Sequence, residues 1–520
     1  MIHFIPAWYN PQRKWYATDH AWYQEDTVKD FDDISTQIRI FHGGSEDIKL
    51  VCLRYAPSLR RFMHRQNTLT VPYFSIFDEL QGFEHGYVRP MNYLNLDWPS
   101  DVSFYYNPYI VNVMKDGQIH ARVYPTEDGT LHSVKFYENE IAVTEHVYDD
   151  RGILSSIINY DEKGELDTQR YLNAQGDWII TEHIKTGAVQ VNPQHADLFA
   201  QTHYDSLDAM IQERLQAYLQ RHDQQADTVV LALNKQHNQL VLDSLDDQTL
   251  ILSKYTERTN DSSPQLIARA KGVFSNDISR VVAAPNSAFG DLPILYIFPL
   301  DNQIAFGESD YEADQNITLF VDNLSADQLD DLVSNIVPSL KTIDNARLQL
   351  CTLHFASLDF LAQLKALAQK YNAQFASTPT ATVDEGYSIQ SLEIGEAKIQ
   401  VIIFNRQAEI LQTMAKSRVY IDMGDQLNYN LKMEAISAGV PQIGKSENLF
   451  LVHQKNGYVV ADSSEVGDAL NYFLLGLRHW DESLIFYNQL KLDYTDKQVL
   501  SKWKVMKEGI DHANSANRAN

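Results

Sequence analysis

Cysteine is scarce in this chain, with two among 520 residues, too few for the disulfide framework that staples small secreted domains. Each lies in a strand-like apolar run, Cys52 within 48–53 and Cys351 within 348–351, where a thiol behaves as a small buried apolar group. Long apolar runs are also lacking: none approaches the roughly 18 residues that a membrane-spanning helix needs. The opening Met1-Ile2-His3-Phe4-Ile5-Pro6-Ala7-Trp8 has no basic leader and reads as a first buried strand rather than a signal peptide. The expected location is the cytoplasm, or a peripheral one at the inner face of a membrane. Positive charge is the third shortage, since 43 Lys and Arg against 69 Asp and Glu leave a formal charge of −26. Such a field repels phosphate backbones and anionic lipid, which argues against nucleic acid as a partner. Two basic clusters, Arg60-Arg61-Arg65 and Lys502-Lys504-Lys507, have helical spacing beside apolar residues and read as solvated helix faces.

What is present is a normal globular balance, 44% apolar, in a length that suits about three domains of roughly 150 residues. Up to about residue 100, apolar strands alternate with amphipathic segments: a strand at 2–7, a helix near 30–41, a strand at 49–55 and a helix from Ser58. Between about 105 and 190 the rhythm changes to short alternating strands with turns at Lys115-Asp116-Gly117, Glu127-Asp128-Gly129, Asp149-Asp150-Arg151-Gly152, Asp161-Glu162-Lys163-Gly164 and Asn173-Ala174-Gln175-Gly176. Gly117 and Gly129 are twelve residues apart, as are Gly152, Gly164 and Gly176, so a repeated strand-turn unit is expected. Such a meander has edges that can pair with a foreign strand, which makes it a docking candidate. Thr144-Glu145-His146 and Thr181-Glu182-His183 recur on these strands without partners at ligand spacing, and no metal site is expected.

The strand-helix rhythm resumes near 200 and starts afresh at 317–321, continuing through 347–353, 398–404 and 418–422. The expected fold class is α/β: two Rossmann-like lobes with a β-rich meander inserted in the first. The divisions are 1–104 and 196–305 for the first lobe, 105–195 for the insert, 306–483 for the second lobe, and 484–520 for a closing helix and tail.

Gly439-Val440-Pro441-Gln442-Ile443-Gly444-Lys445-Ser446 matches a phosphate-loop pattern, but its context is wrong. Gly439 ends a helix instead of following a strand, and no helix opens after Ser446. A nucleotide triphosphatase using Lys445 is therefore the weakest of three readings. No dinucleotide, serine-hydrolase or zinc motif occurs, and no cofactor is expected. The stretch Asp422-Met423-Gly424-Asp425-Gln426-Leu427-Asn428-Tyr429-Asn430-Leu431-Lys432-Met433-Glu434-Ala435-Ile436-Ser437-Ala438-Gly439-Val440-Pro441, with Asn456-Gly457 after it, resembles the nucleotide-sugar end of GT-B glycosyltransferases. In that family a helix carries two glutamates separated by seven residues. Here Glu434 matches the second, which in the family holds the ribose hydroxyls, and Gln426 stands at the first. Gln426, Asn428 and Glu434 are the candidate contacts to a sugar or nucleotide sugar. An amide gives about half of the 1.5–3 kcal/mol or so that a charge-assisted bond supplies. The family also places an arginine and a lysine after the first strand of this lobe, where this chain has Asp322-Asn323-Leu324-Ser325-Ala326-Asp327-Gln328. Losing one preorganised charge commonly costs about 3 kcal/mol of barrier. The resemblance thus implies a GT-B build without catalytic residues, and an active glycosyltransferase with an altered site as the rival.

Phe4-Ile5-Pro6-Ala7-Trp8-Tyr9-Asn10, Ala21-Trp22-Tyr23, Phe31-Asp32-Asp33, Val71-Pro72-Tyr73-Phe74-Ser75-Ile76-Phe77-Asp78-Glu79-Leu80-Gln81-Gly82 and Trp98-Pro99 together resemble the first of the three accessory Sec (Asp-family) proteins of Gram-positive cocci. The resemblance spans the whole chain and is most specific in the first hundred residues. It implies a non-enzymatic subunit that joins the other two accessory Sec proteins, works with a SecA-type motor ATPase, and helps export a glycosylated serine-rich-repeat adhesin. The insert agrees, because glycosyltransferases that modify such adhesins carry a β-rich extension in the first lobe to hold the acceptor polypeptide.

Overall fold

The computed structural model describes residues 1–520 apart from 11–12, 17–31, 84–90, 108, 127, 223–226, 257, 259–262, 278–288, 299–305, 344, 354–356, 376–396, 405–406, 426–427 and 520. Trp22 and Phe31 of the quoted motifs, and the candidate Gln426, therefore lie outside the described residues. Three sheets organise the rest. One is parallel, in the order Ile294–Tyr296, Gly272–Ser275, Thr249–Lys254, Thr228–Ala232, Ile2–Ile5, Ile48–Cys52, Tyr73–Ser75. A second is also parallel, in the order Ile399–Ile403, Ala346–Thr352, Gln315–Phe320, Ser417–Asp422, Gln442–Gly444, Gly457–Val459. The third is an antiparallel meander that runs in chain order from Ser103–Tyr106 to His203–Tyr204.

Local chemistry starts the helices where the chain needs them. Asp32 accepts from Ser35 N–H to open Asp33–Gly43, and Ser325 forms a reciprocal capping box with Gln328 to open Ala326–Thr342. The meander repeats one device every twelve residues. The side chains of Asp149, Asp161 and Asn173 each accept from backbone N–H groups two and four residues on, at 2.9–3.0 Å. Three residues after each, Gly152, Gly164 and Gly176 take φ of 82°, 76° and 89°, a region that favours glycine.

The meander is not a free ribbon. Its last strands enter the first lobe's core, where Tyr171, Ile180, Val189 and Tyr204 cluster with Ile5, Val51 and Leu231. The opposite edge, Ser103–Tyr106, lies open among the described residues, with Tyr105 and Tyr106 exposed. Arg13 ties the same junction by bonding Glu182 at 2.6 Å and Gln169 at 2.9 Å. The cluster Arg60-Arg61 is likewise not a solvated face. Both backbone N–H groups donate to Asp150 at 2.8 and 3.0 Å, and the Arg60 guanidinium reaches Asp78 at 3.1 Å. Arg151, buried, bridges Asp78 and Asp149 at 3.0 and 2.6 Å. The cations read as solvated therefore pair with acids that lie up to 90 positions away in the chain. Lys502 and Lys504 do face solvent, on a last helix whose Trp503 is buried in the first lobe. Among the described residues no helix is long and apolar enough to cross a membrane.

Candidate functional site

The loops leaving the carboxyl ends of the two parallel sheets form the candidate site, as expected for open α/β sheets. In the second lobe the strand Gln315–Phe320 leads through Val321 to Asp322, whose carboxylate accepts from Leu353 N–H at 2.9 Å. The neighbouring strand Ser417–Asp422 ends in Asp422, which is 2% exposed. Asp422 accepts from Asn428 N–H at 3.1 Å, from Gly424 N–H at 3.3 Å and from the Tyr420 hydroxyl at 3.3 Å. The Tyr420 hydroxyl is held well above its ordinary pKa by burial and then by Asp422, with Asp322 contributing. Two acids thus converge where the family resemblance calls for cations.

One cation does arrive from elsewhere. Lys432, on the helix Tyr429–Ala438, is 2% exposed, and burial pushes its pKa down to about 8 against the partial support of Asp422. Burial also raises Asp422, with Lys432 opposing. In both partners burial outweighs attraction, so the pair is strained rather than strong. The sequence signal for Lys432 was slight: one charge inside the run Leu431-Lys432-Met433, indistinguishable by spacing from an exposed position.

Of the candidate contacts, Asn428 caps this helix by accepting from Leu431 N–H at 3.0 Å, and its own N–H goes to Asp422. Glu434 sits in the same helix, every residue of which is buried. The structure therefore brings Asn428, Lys432 and Glu434 onto one element beside Asp422. The helix ends at Gly439 with φ of 78°, and a β-carbon there would stand 2.7 Å from Leu484 and 2.8 Å from the Phe306 ring. The phosphate-loop match is thus a helix stop packed against an aromatic ring, and Lys445 pairs with Asp425 at 2.8 Å. Gly439→Ala is expected to cost about 1–3 kcal/mol through the left-handed backbone and the close contact. Chemical denaturation reads this directly, and a neutral substitution would contradict the stop assignment.

On the first-lobe side the helix Asp33–Gly43 points a buried acid at the same edge. Asp33 takes two bonds from Arg258, at 3.0 and 2.5 Å, and one from Ser253 at 2.6 Å. Burial, with Asp33 beside it, raises Asp32 to about 7. Between the lobes lies a seam of rings: Tyr255 meets Tyr429 at 5.8 Å between centroids, and Phe298 meets Phe450 at 4.7 Å and Tyr494 at 4.9 Å. These ring contacts, invisible to motif reading because their members are scattered from 255 to 494, join one lobe to the other. A leaving diphosphate would need free positive charge, yet Arg258 is taken by Asp33, Lys445 by Asp425 and Lys254 by Asp277. Among the described residues no group of three or more His, Cys, Asp or Glu could hold a metal ion.

Comparison with known proteins fits this geometry. The chain matches, over residues 1–509, the family of accessory Sec system proteins described as the first of the Asp series. It is 27% identical over 519 residues to a protein of that description from Staphylococcus aureus, covering 99% of this chain and 100% of that one. Among solved structures it is similar to a chain of the Glycosylation Associate Protein (Gap123) complex from Streptococcus agalactiae, at 28% identity and a TM-score of 0.84, over 96% of this chain and 99% of that one. It is also similar to a chain of accessory secretory protein 1, 2 and 3 from Streptococcus pneumoniae, at 25% identity and a TM-score of 0.84, over 99% and 100% of the two chains. The pneumococcal O-GlcNAc transferase GtfA, solved with UDP and GlcNAc, shares the fold at 12% identity and a TM-score of 0.68, over 98% and 99%. Two Rossmann-like lobes with an inserted meander thus carry a GT-B-like architecture, and the chain belongs to the family of the first Asp protein of the accessory Sec system.

Proposed function

We propose that this chain is a non-catalytic adaptor that joins the other two accessory Sec Asp-family proteins, works beside a SecA-type motor ATPase and engages glycosylated serine-rich-repeat adhesin cargo. The reading is carried by full-length similarity to chains of two multi-protein complexes, combined with a cleft in which Arg258 and Lys445 are paired with acids and Lys432 is shut from water beside Asp422. Contact with a membrane would then be peripheral and through partners. We assign docking to the insert, 105–195, and to the free edge Ser103–Tyr106 that leads into it. Co-expression with the two other accessory proteins is expected to give one complex by size exclusion with light scattering. Tyr105→Ser with Tyr106→Ser is expected to weaken it. A chain that stays monomeric in the presence of both partners sinks the adaptor reading.

An active glycosyltransferase is the rival, and Lys432 beside Asp422 is the observation in its favour. Donor hydrolysis and transfer assays separate the two. Turnover abolished by Glu434→Ala would replace the adaptor reading with an enzyme.

A further inference from the structure

The outer edge of the first parallel sheet is open. Ile294–Tyr296 ends the strand order, and among the described residues no strand pairs beyond it. Its inward bonds fix which groups face out. The Pro293 carbonyl accepts from Val273 N–H at 2.9 Å, and Ile297 N–H donates to the Ser275 carbonyl at 3.0 Å. Pairing alternates along a parallel ladder, so Leu295 turns inward with them, while the N–H and C=O groups of Ile294 and Tyr296 point away from the sheet. The last helix, Asp496–Ala519, leaves these groups uncovered. Val499 and Trp503 hold it on the face of the sheet, with Trp503 against Phe274. Lys502 and Met506, one turn apart, are on its flank and line a groove beside the edge strand. The helix runs antiparallel to that strand. Tyr494, just ahead of it, packs in one cluster with Tyr296, and Met506 lies against Gly272 at the Pro293 end, which is the end turned away from the cleft.

Strand and helix flank about 220 Å³ of space, many times the roughly 10–15 Å³ that holds one water. The free backbone groups select what fills it. Each outward residue offers a donor and an acceptor, and the two residues are roughly 6.5 Å apart along the strand. Another extended backbone repeats donors and acceptors at that spacing. A helix has spent its backbone groups internally, and a sugar or a phosphate has no such repeat. The side chains of an added strand alternate, so those on one side meet the groove, where Leu295, Tyr494 and Met506 give an apolar floor and wall. The single charged residue among the walls is Lys502. Its ammonium donates to the Asp493 carbonyl at 2.8 Å and lies 5.0 Å over the Tyr494 ring. An ammonium has three donors, so two remain for an incoming carboxylate.

We propose that this groove binds an extended acidic segment of a partner protein by strand addition. The segment's backbone pairs with Ile294 and Tyr296, an apolar side chain seats against Leu295, Tyr494 and Met506, and a carboxylate meets Lys502. The inference adds a second docking surface to the adaptor reading and rests on it for a partner to supply the segment. The test is fluorescence anisotropy on the purified full chain with a labelled peptide that alternates valine with glutamate, and with its lysine counterpart. The glutamate peptide is expected to bind at least about tenfold more tightly, the order of one charge-assisted hydrogen bond. Lys502→Glu is expected to reverse that preference. Should this variant fail to melt like the native protein, Lys502→Gln serves instead and is expected to abolish the preference. N-methylation of every second residue of the glutamate peptide is expected to abolish binding in one register and spare it in the other. Four results overturn the proposal: no binding of the glutamate peptide; equal tolerance of both N-methylated registers; a preference unchanged in the Lys502 variant, which places the peptide on the other open edge at 103–106; or a dimer of the chain alone that Lys502→Glu dissociates, which makes the occupant a second copy. Complex formation with the two accessory proteins is measured separately. An intact complex without peptide binding removes the groove and leaves the adaptor standing, and peptide binding by a chain that stays monomeric with both partners does the reverse.

Discussion

Replacing Trp503 by alanine is expected to lower the unfolding free energy by about 3–5 kcal/mol, the range for emptying a large aromatic site in a packed core. Trp503 is 1% exposed, and its ring stands 5.6 Å from Phe41 and 5.5 Å from Phe274, which are themselves 5.7 Å apart. Those three rings join the helix Asp33–Gly43, the strand Gly272–Ser275 and the last helix, Asp496–Ala519. Two glycines let the last helix come this close. A β-carbon on Gly44 would stand 2.3 Å from Leu500, and one on Gly272 would stand 2.0 Å from Met506. The end of the chain therefore crosses from the second lobe and seals a face of the first. Urea unfolding followed by tryptophan fluorescence and circular dichroism measures the effect. A loss under about 1 kcal/mol would mean that the helix lies on the lobe without supporting it.

That crossing was not legible in the sequence, and the reason is physical. The spacing of Val499, Trp503 and Ile510 announces a helix with an apolar stripe, yet it says nothing about which of two apolar sheets the stripe will cover. The two parallel sheets were legible because strands buried on both faces read as continuous apolar runs, as at 228–233 and 317–321. The meander was legible because positive φ at Gly152, Gly164 and Gly176 leaves a period in the sequence. The acid or amide three residues before each glycine carries the same period and supplies the hydrogen bonds that close each turn. Pairings over long sequence separation were out of reach for the same reason as the last helix. Arg60 shows only its own helical spacing, while Asp78 and Asp150 that hold it lie elsewhere. At the site the missing cations after Val321 could be counted, but the approach of Lys432 to Asp422 depends on how a buried helix is rotated.

Lys432 sets the second large expectation. Its folded pKa of about 8 lies below the ordinary 10.5, so folding disfavours the proton on this amine. Below about pH 8 the folded and unfolded chains both carry it, and the folded state bears the full cost of a buried ammonium. Between about 8 and 10.5 the unfolded state binds more protons, and stability contributed by this group rises with pH. The span corresponds to roughly 3 kcal/mol at 1.36 kcal/mol for each unit. Lys432→Met keeps the length of the side chain and removes the titration. Its stability relative to the native protein is therefore expected to fall by about that amount as pH is raised from 7 to 10.5, whatever constant offset arises from leaving Asp422 alone. Denaturant midpoints of the two proteins across that range give the difference directly, with the titration of every other lysine and tyrosine cancelling between them. The same number bears on function. An amine shut from water, although it still carries its proton below about pH 8, cannot meet a departing diphosphate without first being opened to the cleft. Parallel pH profiles would instead mean a hydrated, fully charged Lys432 at the edge of the cleft, and with it a free cation of the kind that the glycosyltransferase reading requires.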